Sequence, residues 1–390
     1  MYYRKVIKIT CLFFFSCIGL SQEIGANFNH NAEIIDFRYL EKAEVEWVRT
    51  TPRILDYVDG VLNIENDTAL KKVIEAGEYG YKVAFGYRWD FKKRNKRIPD
   101  PNSDEEKLYF KYAEKMLSKV ARYIKVFKLG NEPNLETLKE DLYENEEGVV
   151  PLIRFTERLM THVVDPYFKK AGLERPDMYV GSFPRLFMKT EQQIPGVIQM
   201  IEFAQKSDEI TGLAVHLHIS DTAQIDESFK FVRNIMPDKP IIVPEFSLFR
   251  LYNTKLNNLI AANKSGKAFL KKYNYDPNLK VYEYFTHTNT NGVSQQEWED
   301  FFGTQAWYPQ HNLKIYYDKF KKYGVVLATY PLLQQSCPKT MTPNSPTWFI
   351  NPIFCQFTLK LQPNGDIASN PLHFQDFLDI VREGKTRKQK

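Results

Sequence analysis

Short β-type runs alternate with longer amphipathic stretches along nearly the whole of this 390-residue chain, and that alternation constrains its fold more than any other feature. Strands are predicted over 24–28, 45–49, 81–87, 124–130, 178–182, 210–219, 240–246 and 325–330. Helices are predicted over 32–41, 67–78, 104–122, 152–171, 195–206 and 226–236, with a last one over 372–382. Eight strand–helix units are the count of a closed (β/α)8 TIM barrel, an α/β fold in which parallel strands are joined by helices. A doubly wound open sheet stays as the alternative, because periodicity alone does not show closure. The first strand runs into Gly25-Ala26-Asn27 and opens no GxGxxG fingerprint, which argues against a dinucleotide fold.

The N-terminus reads as a secretory leader over 1–21. Arg4, Lys5 and Lys8 make a positive start, 9–20 is apolar, and Gly19-Leu20-Ser21 supplies a small-x-small cleavage pattern before Gln22. Lipoprotein processing at Cys17 is the competing reading, but Phe14-Phe15-Ser16-Cys17 is a poor lipobox. No other stretch is long and apolar enough to cross a membrane. A secreted or periplasmic monomer is expected, with one barrel domain over 22–384 and a basic tail over 385–390. The net charge of +5 comes partly from these two ends, so a nucleic-acid partner is not implied.

Two connections are unusually long, 250–322 after strand seven and 332–370 after strand eight. Both leave from the strand ends where barrel active sites sit, so both are read as cleft walls. The second holds Cys337 and Cys355, the two cysteines that outlast the leader. In an exported protein such a pair invites a disulfide, and two free buried thiols are the alternative. Their spacing matches no zinc motif.

Two glutamates carry the chemistry. The apolar run at strand four stops in Gly130-Asn131-Glu132-Pro133, where the proline cannot continue a sheet ladder. Strand seven reads Ile241-Ile242-Val243-Pro244-Glu245-Phe246, a strand buried on both faces that ends in a charge. Ends of strands four and seven face each other across the mouth of an eight-stranded ring. Two carboxylates so placed suit glycosidic bond cleavage.

Asn131-Glu132-Pro133 at strand four with Glu245 at strand seven resembles the signature of the clan A glycoside hydrolases, the 4/7 superfamily of retaining (β/α)8 enzymes. The resemblance covers the barrel in topology and about a dozen residues in motif. It implies Glu132 as acid/base, Glu245 as nucleophile and Asn131 as a contact to the sugar 2-hydroxyl. It also implies an arginine near the nucleophile, for which Arg49 at the end of strand two is the candidate and Arg53 a competitor. His216 and His218 alternate with Leu217 and so share one side of strand six, where the clan often carries a residue bonded to the nucleophile or the sugar. The strand-eight tryptophan common in the clan is absent, and Tyr330 is the replacement.

Further candidate substrate contacts are Asn29 after strand one and Tyr87, Arg88 and Trp89 after strand three. Phe183, Phe246, Phe249, Trp307 and Trp348 are aromatics that serve either packing or sugar stacking, and the 14% aromatic content favours packing for most. The run 88–97 is basic and interleaved with aromatics. It is read either as a solvated loop or as a binder of sulfated or uronate-bearing glycan. The expected function is double-displacement hydrolysis of an oligo- or polysaccharide with no metal and no cofactor, Glu132 resting protonated and Glu245 ionised. The rivals are an inactive barrel that binds glycan at the cell surface and a metal-assisted hydrolase built on His216, His218 and Glu245.

Overall fold

The structure is a computed structural model and describes residues 22–388; the expected leader 1–21, with Cys17, lies outside the described residues. Eight strands close into one barrel in chain order, every neighbouring pair parallel. They are β1 Glu23–Asn29, β2 Trp47–Thr50, β3 Lys82–Gly86, β4 Ile124–Lys128, β5 Asp177–Phe183, β6 Gly212–His218, β7 Ile241–Ser247 and β8 Val325–Pro331. Closure excludes the open doubly wound sheet.

Alternation along the strands sorts the side chains into inner layers. The lower layer is apolar and packs Trp47, Ala84, Val126, Tyr179, Ala214, Ile242 and Leu327 across the barrel. Gly25 makes room for the Trp47 indole, since a Cβ there would meet the Trp47 Cβ at 2.5 Å. Two residues further along, the inner positions turn polar: Arg49 on β2, Lys128 on β4 and His216 on β6. Sequence therefore plugs the barrel floor with aromatics and leaves its upper end for chemistry.

Helices cover the outside, and their ends follow local signals. Ser103 caps the Asp104–Val120 helix by accepting from the Glu106 N–H, and Asp67 caps Thr68–Glu78 by accepting from Leu70 N–H. The predicted 152–171 helix is one run with a wide π turn over Met160–Val164, just before Pro166, whose missing N–H could not bond to the preceding turn. The last helix, Phe374–Lys388, runs past its predicted end into residues read as a tail, with Arg387 paired to Glu383 at 2.7 Å. Among the described residues, no helix is long and apolar enough to cross a membrane.

The connection after β7 meets its expected role as a cleft wall only at its start, where Arg250 lines the cleft. It folds into successive helices, among them Val281–Asn291, Gln295–Gly303 and Asn312–Tyr323, around an aromatic core of Tyr284, Phe285, Trp298, Phe301 and Phe302. Trp307 belongs to this packing, beside Phe302 and Tyr308, and not to a cleft. The connection after β8 carries a two-stranded ribbon, Phe354–Cys355 with Ala368–Ser369. The expected Cys337–Cys355 disulfide is absent. Both are free thiols, each turned to a different carbonyl: Cys337 Sγ lies 3.9 Å from Asn289 O and Cys355 Sγ 3.6 Å from Pro352 O.

Candidate active site

Glu132 leaves β4 on an abrupt turn. Its φ is +36°, the left-handed region, which costs a side-chain-bearing residue roughly 1 kcal/mol. Pro133 then opens the short helix Pro133–Glu136, where its missing N–H needs no partner. Glu245 reaches the cleft by a different device. Ala214 pairs with Ile242, but His216 pairs with Glu245, so β7 carries one extra residue against β6. Strict alternation from Ile242 would turn Pro244 inward and Glu245 outward. The bulge reverses this and sets the carboxylate opposite His216.

His216 stands between the two glutamates and is hydrogen-bonded to one of them. His216 Nδ1 lies 3.1 Å from Glu132 Oε1, and its Nε2 lies 3.9 Å from Glu245 Oε1. His218 holds Nε2 at 3.4 Å from Glu245 Oε2 and is oriented by Ser247 Oγ at 2.8 Å from its Nδ1. Arg49 is 1% exposed and donates to Glu245 Oε1 at 2.7 Å, Asn131 Oδ1 at 2.9 Å, Asn27 Oδ1 at 2.8 Å and Asn29. Asn131 Nδ2 in turn donates to Glu136 Oε1 at 2.9 Å, which leaves its second amide hydrogen for another acceptor.

The electrostatics separate the carboxylates. Burial works against ionisation of Glu245, but the His216 imidazole and the Arg49 guanidinium outweigh it and hold the carboxyl well below the usual range. Burial lowers His216, although Glu245 and Glu132 pull the other way. Burial also raises Glu132, yet the His216 hydrogen bond more than offsets it and leaves this carboxyl below its ordinary value. Glu132 is thus a carboxyl in a shared hydrogen bond with an imidazole, not the isolated resting acid that was expected. Glu136, buried against Arg88, is pushed up to about 8 by burial.

These residues border a cleft of about 410 Å³ whose lining includes Asn29, Arg88, Glu132, His218, Glu245 and Trp348. Trp348 is 45% exposed, stacks face to face on Phe249 at 3.6 Å between ring centroids, and meets His218 edge-on at 4.8 Å. An exposed indole beside paired carboxylates is a platform on which a sugar face can lie.

Three expected contacts lie elsewhere. Tyr330 is buried outside the barrel against Phe246 and His373, because alternation gives the inward position to Thr329, which donates to Pro244 O. Tyr87 also points outward and donates from its hydroxyl to Ala113 O at 2.7 Å. Trp89 packs in an aromatic cluster with Phe91 and Phe155 and is 6% exposed. Phe183 and Phe246 are buried. Much of the basic run 88–97 answers carboxylates of the fold itself: Arg94 binds Asp56 and Asp59, Lys96 binds Glu105, and Arg97 binds the buried Asp141. Arg88 alone among these lines the cleft, and it pairs with Glu136 at 2.9 Å and Asp90 at 3.0 Å. Arg53 pairs with Asp90 and not with Glu245.

Lys128 escaped sequence reading. It is 1% exposed, and its Nζ has no hydrogen-bond partner. Gly86 leaves it space, since a Cβ there would sit 2.9 Å from the Lys128 Cβ. Burial and the neighbouring Arg49 drive this amine well below its ordinary value. Its place on β4, four residues before Glu132, was the available signal. Among the described residues, one group could hold a metal ion: Glu132, His216 and His218 present ligand atoms within 4.8 Å of one another. This set differs from the expected one, with Glu132 in place of Glu245.

No protein-family model matches the chain, and no curated protein matches it. Solved structures similar to it include a family 39 glycoside hydrolase from Bacteroides cellulosilyticus WH2, at TM-score 0.46 and 12% identity over 92% of this chain and 63% of that one. Another is the exo-β-1,4-mannosidase Op5Man5 from Opitutaceae bacterium strain TAV5, at TM-score 0.48 and 11% identity over 95% of this chain and 60% of that one. The chain spans less than two thirds of the length of both. A third is the β-glucosidase from Thermotoga maritima, at TM-score 0.45 and 11% identity over 93% of this chain and 98% of that one. Nothing about the chemistry of the cleft follows from likenesses of that size, so its reading rests on the side chains.

Proposed function

We propose that the chain is a secreted retaining glycoside hydrolase acting on an oligo- or polysaccharide, in its sharper form an anionic one. The observation that carries this reading is the Glu132–His216–Glu245 system, with Arg49 fixed on Glu245. Glu245 attacks the anomeric carbon as the glycosidic C–O bond breaks. The leaving oxygen takes the carboxyl proton of Glu132, whose protonated form is the one that enters the step. Glu132, now ionised, then removes a proton from water, which attacks the same carbon and frees Glu245. Trp348 supports the sugar ring.

NMR of the first product from a panel of neutral, sulfated and uronate-bearing polysaccharides tests the reading. Retained anomeric configuration, lost in Glu245→Gln and unchanged by EDTA, is the expected result. An inverted product removes double displacement. Loss of activity in EDTA moves the chemistry to a metal on Glu132, His216 and His218. Glycan binding without hydrolysis across the panel points to a barrel that only binds. Export is checked separately, by N-terminal sequencing of the mature protein, expected to begin at Gln22.

A further inference from the structure

The cleft arginines fall into two groups. Arg49 and Arg88 each hold a carboxylate, Glu245 at 2.7 Å and Glu136 at 2.9 Å. Arg185 and Arg250 line the same cleft beside Glu132, and neither forms an ion pair or a side-chain hydrogen bond among the described residues. Both are half-buried, and the Nε of each is fully shielded from solvent with no acceptor. Half-buried guanidinium groups are ordinarily matched by carboxylates or carbonyls, since each carries five donors in a fixed fork.

Their neighbourhood makes the mismatch costlier. The two groups act on each other: burial and the charge of Arg185 press the Arg250 guanidinium below its ordinary value, against the weaker opposing pull of Glu132 and Glu191. Arg185 also sits in left-handed backbone, φ +64°, which a side-chain-bearing residue adopts at a cost of about 1 kcal/mol. Backbone strain of this kind collects at ligand sites. Arg250 directly follows Phe249, the ring under the Trp348 platform. A sugar on that platform lies next to two guanidinium groups that no side chain of the described residues hydrogen-bonds.

We propose that Arg185 and Arg250 form an anion subsite beside Glu132 that takes a carboxylate or sulfate ester carried by the glycan. The subsite rests on the glycosidase reading for the sugar, but its ligand chemistry comes from these two side chains. Two planar forks facing one anion suit bidentate contacts to either group.

The test uses the full chain carrying Glu245→Gln, so that binding is read without turnover. Calorimetric titrations compare oligogalacturonate, sulfated galactan oligosaccharides and neutral galactan oligosaccharides. The expected result is that one anionic class binds at least about tenfold tighter than the neutral one, with the preferred class separating carboxylate from sulfate ester. Adding Arg185→Ala or Arg250→Ala should remove about tenfold of that affinity, leave neutral binding unchanged, and flatten the dependence on salt. Equal binding of all three classes overturns the subsite, and so does an anion preference that survives both substitutions. If an alanine variant does not fold, Arg185→Gln and Arg250→Gln replace it, with the same outcomes deciding. Failure of the glycosidase reading shows separately, as selective binding of an anionic glycan that the unsubstituted chain never hydrolyses.

Discussion

The floor and the rim of the cleft treat the same residue type in opposite ways. On the floor, both Nη groups of Arg49 donate within the chain, to Glu245, Asn131, Asn27 and Asn29, and only its Nε lacks an acceptor. On the rim, Arg185 and Arg250 have no such partners among the described residues. The difference assigns the work. In the proposed reaction, a matched cation fixes the geometry and ionisation of Glu245 before substrate arrives, because its position costs no rearrangement during reaction. An unmatched one is available to a charge brought from outside. Lys128 sharpens the contrast from within the floor. It lies in the barrel near Arg49 without a partner, and it avoids the cost of a buried unpaired charge by being held toward the neutral amine.

The largest effects belong to the floor. Glu245→Gln is expected to lower kcat by about 10⁴-fold or more, because it removes the attacking group itself. Glu132→Gln should cost about 10²–10⁴-fold on a natural glycan, and far less in the first step with an activated aryl glycoside, whose leaving group needs no proton. Measured kcat values that remain within tenfold for both variants would remove the roles assigned here. Arg49→Met strips the floor of its match. The loss should be roughly 10²-fold in kcat and about 3–5 kcal/mol in stability, since Glu245 is left buried without its cation. The pH dependence has a definite sign. Glu245 is held well below the ordinary carboxylate value, so the stability it draws from Arg49 is present above about pH 4.3 and is lost as pH falls through the depressed value. In Arg49→Met this acid-labile contribution disappears, and the acidic limb of the rate profile moves upward.

Lys128→Met tests the other half of the floor and should act in the opposite direction. A lysine depressed in the folded state binds fewer protons there than when unfolded, so native stability rises with pH from the depressed value up to about 10.4. Methionine fills similar space with no amine to desolvate. The variant should gain about 1 kcal/mol at pH 7, a gain that shrinks as pH approaches about 10.4. Denaturant unfolding at pH 6, 7, 9 and 10 measures it. A variant less stable than the parent at pH 7 would mean that Lys128 is charged and matched.

Legibility in the sequence followed the range of the interaction that decides each feature. The eight strands and the helix over Pro195–Lys206 rest on local periodicity and were readable. Glu132 was readable because a proline after an apolar run marks a strand end. The approach of Arg49 to Glu245 depends on a β-bulge between β6 and β7, and no local signal announces an extra residue in a ladder. Tyr330 was misplaced because its sequence position was weighed without its parity: Thr329 takes the inward place. The basic run 88–97 misled for a related reason, since the carboxylates that match it, Asp56, Asp59, Glu105 and Asp141, lie on other segments. Arg185 and Arg250 carry no sequence signal, because what marks them is their place beside Glu132 without an ion pair among the described residues.

The smallest expected effect separates the platform in the cleft from the one that strand eight suggested. Trp348 is 45% exposed, so Trp348→Ala should change stability by only about 0.5 kcal/mol. Its loss falls on the substrate: the stacked face over Phe249 is worth about 1 kcal/mol, or roughly fivefold in KM, with kcat little changed. Tyr330→Leu should do the reverse. Its ring packs against Phe246 and His373 behind the barrel wall, so the substitution should lower stability by about 1–3 kcal/mol and leave KM as it was. A rise in KM confined to Tyr330→Leu would return the sugar to strand eight and empty the Trp348 platform. A rise confined to Trp348→Ala places it on the loop after β8, on the rim that also carries the unmatched arginines.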